Sequence, residues 1–163
     1  MEELTLQISY KKCSYEELDP SDRQVVDAAR NATDCSYSPY SHFRVGAAIR
    51  LSGGTILTGS NQENAAYPSG LCAERTALFA AGASYPDKPV ETLAVAAFTE
   101  GKFTTIPVTP CGACRQVIAE VESRYGRAVR IILYGSEFCL VFDNGIADIL
   151  PFCFGAGYLG NTE

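Results

Sequence analysis

Cys72-Ala73-Glu74-Arg75-Thr76-Ala77-Leu78 and, farther along, Pro110-Cys111-Gly112-Ala113-Cys114 are the stretches on which the reading of this chain turns. From Cys72 to Ala81 the sequence is rich in helix formers and free of Gly and Pro. Gly82 follows as a stop signal, so the pattern predicts a helix opening at Cys72. Pro110 introduces another helix, in which Cys114, Val117, Ile118 and Val121 share a face and which should end at Gly126. Residues three apart at a helix start face one side, so Cys111 and Cys114 can grip one ion while Cys72 reaches it from the other helix. Three thiolates fill three zinc positions and leave the fourth open, the arrangement of a catalytic rather than a structural site. Both helix N-termini carry partial positive charge, which favours the thiolate form.

Glu74 belongs to the same turn as Cys72 but is not needed as a ligand. A first-turn Glu is common for capping and dipole reasons; beside a cysteine-bound zinc it also has a chemical task, moving the protons of a bound water. Three thiolates overcompensate the charge of zinc, and Arg75 is the candidate to offset them by hydrogen bonds to sulfur. Two other readings of the cysteines stay open. Cys111-Gly112-Ala113-Cys114 alone fits a dithiol redox pair, and the single histidine, His42, could close a structural three-Cys, one-His site. Strand alternation puts His42 with Arg44 rather than with the apolar face, so it is expected to be exposed.

Outward from these motifs the chain reads as alternating helices and strands. Ser21 and Gln24 form a capping-box pair ahead of a helix over 22–34. Phe43, Val45, Ala47, Ile49 and Leu51 alternate as a strand, Ser52-Gly53-Gly54 turns the chain, and residues 55–59 return antiparallel. Thr92 to Phe98 is apolar throughout, as in a central strand, and Val129 to Tyr134 and Phe138 to Phe142 complete the set. The expected fold is a three-layer α/β/α domain around a mixed sheet of about five strands. Residues 1–20 read as an N-terminal extension and 21–163 as a single domain, in keeping with 163 residues that are 47% hydrophobic.

The net charge of −6 argues against a nucleic-acid partner. No leader pattern or long apolar run signals export or a membrane, so the expected location is the cytoplasm. Seven cysteines, an odd number, fit ligands and reduced thiols better than a disulfide framework. Cys13, Cys35, Cys139 and Cys153 are expected as buried thiols.

Four segments extend the pattern: Pro39-Tyr40-Ser41-His42-Phe43-Arg44-Val45-Gly46-Ala47-Ala48, Asn61-Gln62-Glu63-Asn64-Ala65-Ala66-Tyr67, Cys72 to Leu78, and Pro110 to Gln116. In this order, and over roughly 22–155, they resemble the small, homotetrameric, all-cysteine zinc type of cytidine deaminase. The resemblance implies one zinc ion per subunit on Cys72, Cys111 and Cys114, zinc-bound hydroxide attacking C4 of the pyrimidine, and Glu74 shuttling protons. Cytidine and 2′-deoxycytidine would become uridine and 2′-deoxyuridine, a step of pyrimidine salvage. It further implies ribose contacts from Asn61 and Glu63, Phe43 beside the nucleoside, the Ala73 N–H orienting the base, and Phe154 reaching a neighbouring subunit's site in a homotetramer. A modified cytosine nucleoside as substrate, a non-catalytic zinc module and nucleic-acid editing are the alternatives.

Overall fold

The computed structural model describes residues 1–160. Seven strands form one sheet: β1 (Lys11–Cys13), β2 (Arg44–Leu51), β3 (Ile56–Ser60), β4 (Val90–Thr99), β5 (Lys102–Phe103), β6 (Arg130–Tyr134) and β7 (Cys139–Phe142). Their order is β1-β7-β6-β4-β2-β3, with β5 also paired to β4. Only β4 and β6 run parallel. Between them lies the crossover helix α3 (Gly112–Tyr125), because parallel neighbours need a long connection where antiparallel ones need only a turn.

The period of two along β2, β4 and β6 sorts their side chains onto two apolar faces. Ala47, Ile49, Leu93, Val95, Ile131 and Leu133 pack under α2 (Ala73–Ser84) and α3. Ala48, Ala94, Ala96 and Ile132 pack under α1 (Pro20–Ala32) through Val25, Val26 and Ala29. This is the mixed, three-layer sheet that the sequence predicts, with β4 at its centre. A fourth helix, α4 (Ile146–Ile149), closes the fold near the C-terminus.

Several expectations need correction. The sheet has seven strands rather than about five, because two of them, β1 and β5, span only three and two residues and leave no periodic signal. Sheet structure begins at Lys11 rather than after residue 20: Cys13 pairs with Cys139, Leu18 is buried, and the Tyr15 ring meets Tyr134 edge-on at 6.3 Å. The first helix starts at Pro20, whose fixed φ suits a first helical position, and Asp19 at its N-cap makes no side-chain capping bond, so no Ser21–Gln24 capping box forms. Gly82 does not end α2, which runs to Ser84 and stops before Pro86. Gly126 does end α3, in the left-handed conformation at φ 60°. Cys139 is buried and Cys13 and Cys153 are half-buried, but Cys35 is exposed.

Candidate metal centre and active site

Two helix starts meet at one point above the sheet. Cys72 is the N-cap residue of α2 and Cys111 that of α3, both with extended backbone, while Cys114 lies in the first turn of α3 and is buried. The approach of α2 depends on Gly59 in β3: a Cβ there would stand 2.5 Å from the Ala73 carbonyl oxygen and 2.5 Å from the Ala77 nitrogen. A glycine is the residue that lets the two backbones lie this close.

The Sγ atoms of Cys72 and Cys111 are 3.8 Å apart and those of Cys111 and Cys114 3.6 Å. All three lie within 4.8 Å of one another, and no other described His, Cys, Asp or Glu joins the group. Sulfurs about 2.3 Å from a tetrahedral zinc stand about 3.8 Å from each other, so the spacing and the soft donor set both fit that metal. His42 is exposed, with φ 55°, and takes no part in the cluster. A structural site closed by His42 is thereby excluded.

The electrostatics favour binding. Cys72 has its pKa lowered to about 5, first because it accepts a hydrogen bond from Cys114 and then through Arg75, against the opposing effect of burial. The Cys114 thiol is pushed up, as the proton donor of the pair in a buried position. Arg75 Nη2 donates to Cys72 Sγ at 3.7 Å, as its neighbouring position suggests, while its buried Nε has no hydrogen-bond partner. Glu74 is only 4% exposed, and burial first, with the nearby Cys72 charge, raises its carboxyl pKa. A buried carboxyl biased toward its protonated form beside a cluster of possible metal ligands has the properties of a proton carrier.

Above the sulfurs opens a cavity of about 540 Å³, the size of a small-molecule site. Cys72, Ala73, Glu74, Asn61 and Glu63 are in its walls, whereas Phe43 and Phe154 are not. The Asn61 side chain is already heavily engaged: Oδ1 accepts from Ser36 Oγ at 2.5 Å and from Val45 N at 2.8 Å, and Nδ2 donates to the Phe43 carbonyl at 2.9 Å. One Nδ2 hydrogen is left for a ligand. The Glu63 carboxylate accepts from the Tyr40 and Ser41 backbone N–H groups at 2.9 and 3.3 Å and from the Ser41 hydroxyl, which with the backbone bonds holds its pKa below the usual value. Tyr40, Ser41 and Tyr67 line the cavity as well. The motifs alone assign no role to these three residues, since nothing local tells that Tyr40 and Ser41 fold over Glu63. Phe154 is 58% exposed, its carbonyl accepting from Gln116 Nε2 at 2.7 Å and its ring stacked on Tyr158 at 5.7 Å.

Residues 19–129, which hold all three cysteines and Glu74, match the family model described as the cytidine and deoxycytidylate deaminase zinc-binding region. The chain belongs to this deaminase family. Membership makes it an enzyme, a hydrolase, of a zinc-binding family, and the sulfur cluster is a group that could hold such a metal. The deaminase is 50% identical over 97 residues to a cytidine deaminase of Sporosarcina psychrophila, covering 60% of this chain and 67% of that one. It is 34% identical over 130 residues to a cytidine deaminase of Mycobacterium tuberculosis, covering 78% and 84%. Its fold matches the crystal structure of cytidine deaminase from Burkholderia pseudomallei with a TM-score of 0.66 at 37% identity, over 80% of this chain and 97% of that one. The Mycobacterium tuberculosis structure matches with a TM-score of 0.65 at 30% identity, over 84% and 99%. Residues 1–18 of this deaminase lie outside the family match. Among the described residues no helix is long and apolar enough to cross a membrane.

Proposed function

We propose that this deaminase hydrolyses cytidine and 2′-deoxycytidine to uridine and 2′-deoxyuridine with release of ammonia, using one zinc ion per subunit held by Cys72, Cys111 and Cys114. The observation that carries the proposal is the three-sulfur cluster with zinc spacing, beside the buried carboxyl of Glu74, at the floor of a nucleoside-sized cavity. When bound, the zinc supplies a water acidified to a pKa of about 7 as nucleophile.

The protein's own groups do the rest. Glu74 takes one proton from the attacking water and delivers it to N3 of the pyrimidine, then carries the second, from the C4 hydroxyl so formed, to the amine that leaves as ammonia, a role its burial supports. Arg75 spreads the excess charge of the thiolates through its bond to Cys72. At the other end of the cavity Glu63 accepts from a ribose hydroxyl and Asn61 donates its remaining Nδ2 hydrogen, which makes the sugar part of the recognised substrate. The Ala73 N–H orients the base. Phe43 is tied to the site through its carbonyl bond to Asn61, and its ring is the proposed apolar neighbour of the nucleoside. The exposed Phe154 would complete a neighbouring subunit's site in a homotetramer. Seven free thiols suit a reducing compartment, so the proposed setting is pyrimidine salvage in the cytoplasm.

The test is uridine formation from cytidine by zinc-loaded protein, with Glu74→Gln as the decisive variant. Loss of acid–base help should lower kcat by at least ~10²-fold with zinc retained. Near-normal turnover in a zinc-loaded Glu74→Gln variant would overturn the mechanism, and equal turnover of free cytosine would overturn the sugar contacts.

A further inference from the structure

The N-terminal segment Glu2-Glu3-Leu4-Thr5-Leu6-Gln7-Ile8-Ser9-Tyr10-Lys11-Lys12 alternates apolar and polar residues with the period of a strand. It runs directly into β1, the terminal strand of the sheet. Yet residues 1–10 belong to no helix or strand and are exposed throughout: Leu4 is 81% exposed, Leu6 55% and Tyr10 60%. β7 ends at Phe142, so it pairs only with Lys11, Lys12 and Cys13. The Tyr10 ring lies 5.6 Å from Phe142, and Ile8 is 41% exposed. A segment with the side-chain period of a strand, its apolar residues largely in water and residues 2–10 outside any described ladder, is a template for another chain.

The composition of the segment points to which chain. Written antiparallel to itself about Gln7, it sets Leu4 opposite Tyr10 and Leu6 opposite Ile8 on one face, and Thr5 opposite Ser9 on the other. Glu3 then meets Lys11 and Glu2 meets Lys12, so every charged pair is of opposite sign. Parallel in-register pairing would instead oppose Glu to Glu and Lys to Lys, which is unfavourable. The free outer edge of β1 lets the same strand hold β7 on one side and a second copy on the other. Lys11, which already contacts Asp143 at 2.6 Å, would bridge Asp143 and Glu3 of the second copy.

We infer that residues 2–12 form an antiparallel strand pair with the same residues of a second copy of this chain, about a two-fold axis through Gln7. The contact is isologous, lies outside the family-matched span, and joins two sheets edge to edge. It is independent of the substrate and metal assignments made above, and of any other contact between subunits.

Single cysteines in the full-length, zinc-loaded enzyme test it. On the axis, residue 7 faces its own copy at the 4.5–5.5 Å Cα spacing of paired strands, about the span of a disulfide. Under mild oxidation Gln7→Cys should form a covalent dimer at least ~10-fold faster than wild-type protein, because pairing raises the effective thiol concentration. Thr5→Cys and Ser9→Cys should each cross-link slowly alone and fast when mixed. Leu6→Glu in the Gln7→Cys background should abolish the rapid cross-link while cytidine turnover persists, and adding Ile8→Lys should restore it. A Gln7→Cys variant that cross-links no faster than wild type overturns the proposal, as does a Ser9→Cys variant that cross-links alone as fast as Gln7→Cys, which would mean parallel pairing.

Discussion

Arg75 Nη2 donates to Cys72 Sγ across 3.7 Å, from the first turn of the helix that Cys72 caps. The bond brings positive charge to a sulfur that, as a zinc ligand, would bind as a thiolate. Arg75→Gln should weaken zinc binding or lower turnover by roughly 10–100-fold, the usual cost of losing a group that supports a metal ligand. Competition titration with a chromogenic chelator and steady-state kinetics on the same sample separate the two effects. Arg75→Lys should recover only part of the loss, since an ammonium lacks the planar fork.

Metal removal should abolish activity and lower stability together. A ligand that binds only the folded state, at about 1,000 times its Kd, adds about 4 kcal/mol. The thermal midpoint of chelated protein should therefore fall and return on adding zinc. A metal-free sample with full turnover would contradict the zinc assignment.

Asn61 serves the fold as well as the cavity. Asn61→Ala leaves the Val45 N–H and the Phe43 carbonyl without the partners they have here, at a cost of about 1–3 kcal/mol where such groups are shielded from water. Urea unfolding should show the loss, and KM for cytidine should rise. Asn61→Asp keeps an acceptor for Val45 but not the donor for Phe43, so its stability should fall between the two.

Gly59→Ala is expected to damage the metal centre from a distance. The new methyl group would press on backbone atoms of Ala73 and Ala77 at 2.5 Å and shift the start of α2, which carries Cys72. Overpacking of this kind costs about 1–3 kcal/mol. Zinc affinity, measured by titration, should fall alongside the thermal midpoint.

Acid should loosen the first strand. The Asp143 carboxyl is held below its usual pKa, first by its bond to Lys11 and further by Arg130. A lowered carboxyl pKa means that the stabilising contribution is full above the unfolded value, about 3.9, and is lost as pH falls through the folded one. The side chains are partly exposed, so the effect stays under ~1 kcal/mol. Hydrogen exchange of Lys11–Cys13 should accelerate below about pH 4 relative to the central strands. In Asp143→Asn that acid-specific acceleration should disappear.

Much of the site was legible because its parts are local. Cys72-Ala73-Glu74-Arg75 and Cys111-Gly112-Ala113-Cys114 each announce a helix start, and a helix start fixes which residues share a side within one turn. The long strands were legible for the same reason, since Val45, Ala47, Ile49 and Leu51 carry their period with them. β1 and β5 were not, because strands of three and two residues exist only through the neighbours they pair with. Glu63 likewise reads as a turn residue until Tyr40 and Ser41, more than 20 positions earlier, fold over it.

The amino-acid sequence by itself determined the layered α/β plan and singled out the three cysteines and the acidic residue beside Cys72, because helix and strand periods and motif spacing are properties of short stretches. Only the tertiary structure decided that Cys72 comes within 3.8 Å of Cys111, that His42 stays outside the cluster, and that Asn61 spends most of its hydrogen bonds on the backbone. Those outcomes depend on how α2 packs over β2 and β3 and against α3. That packing is set by close contacts such as the one Gly59 permits, between residues whose separation along the chain carries no local signal.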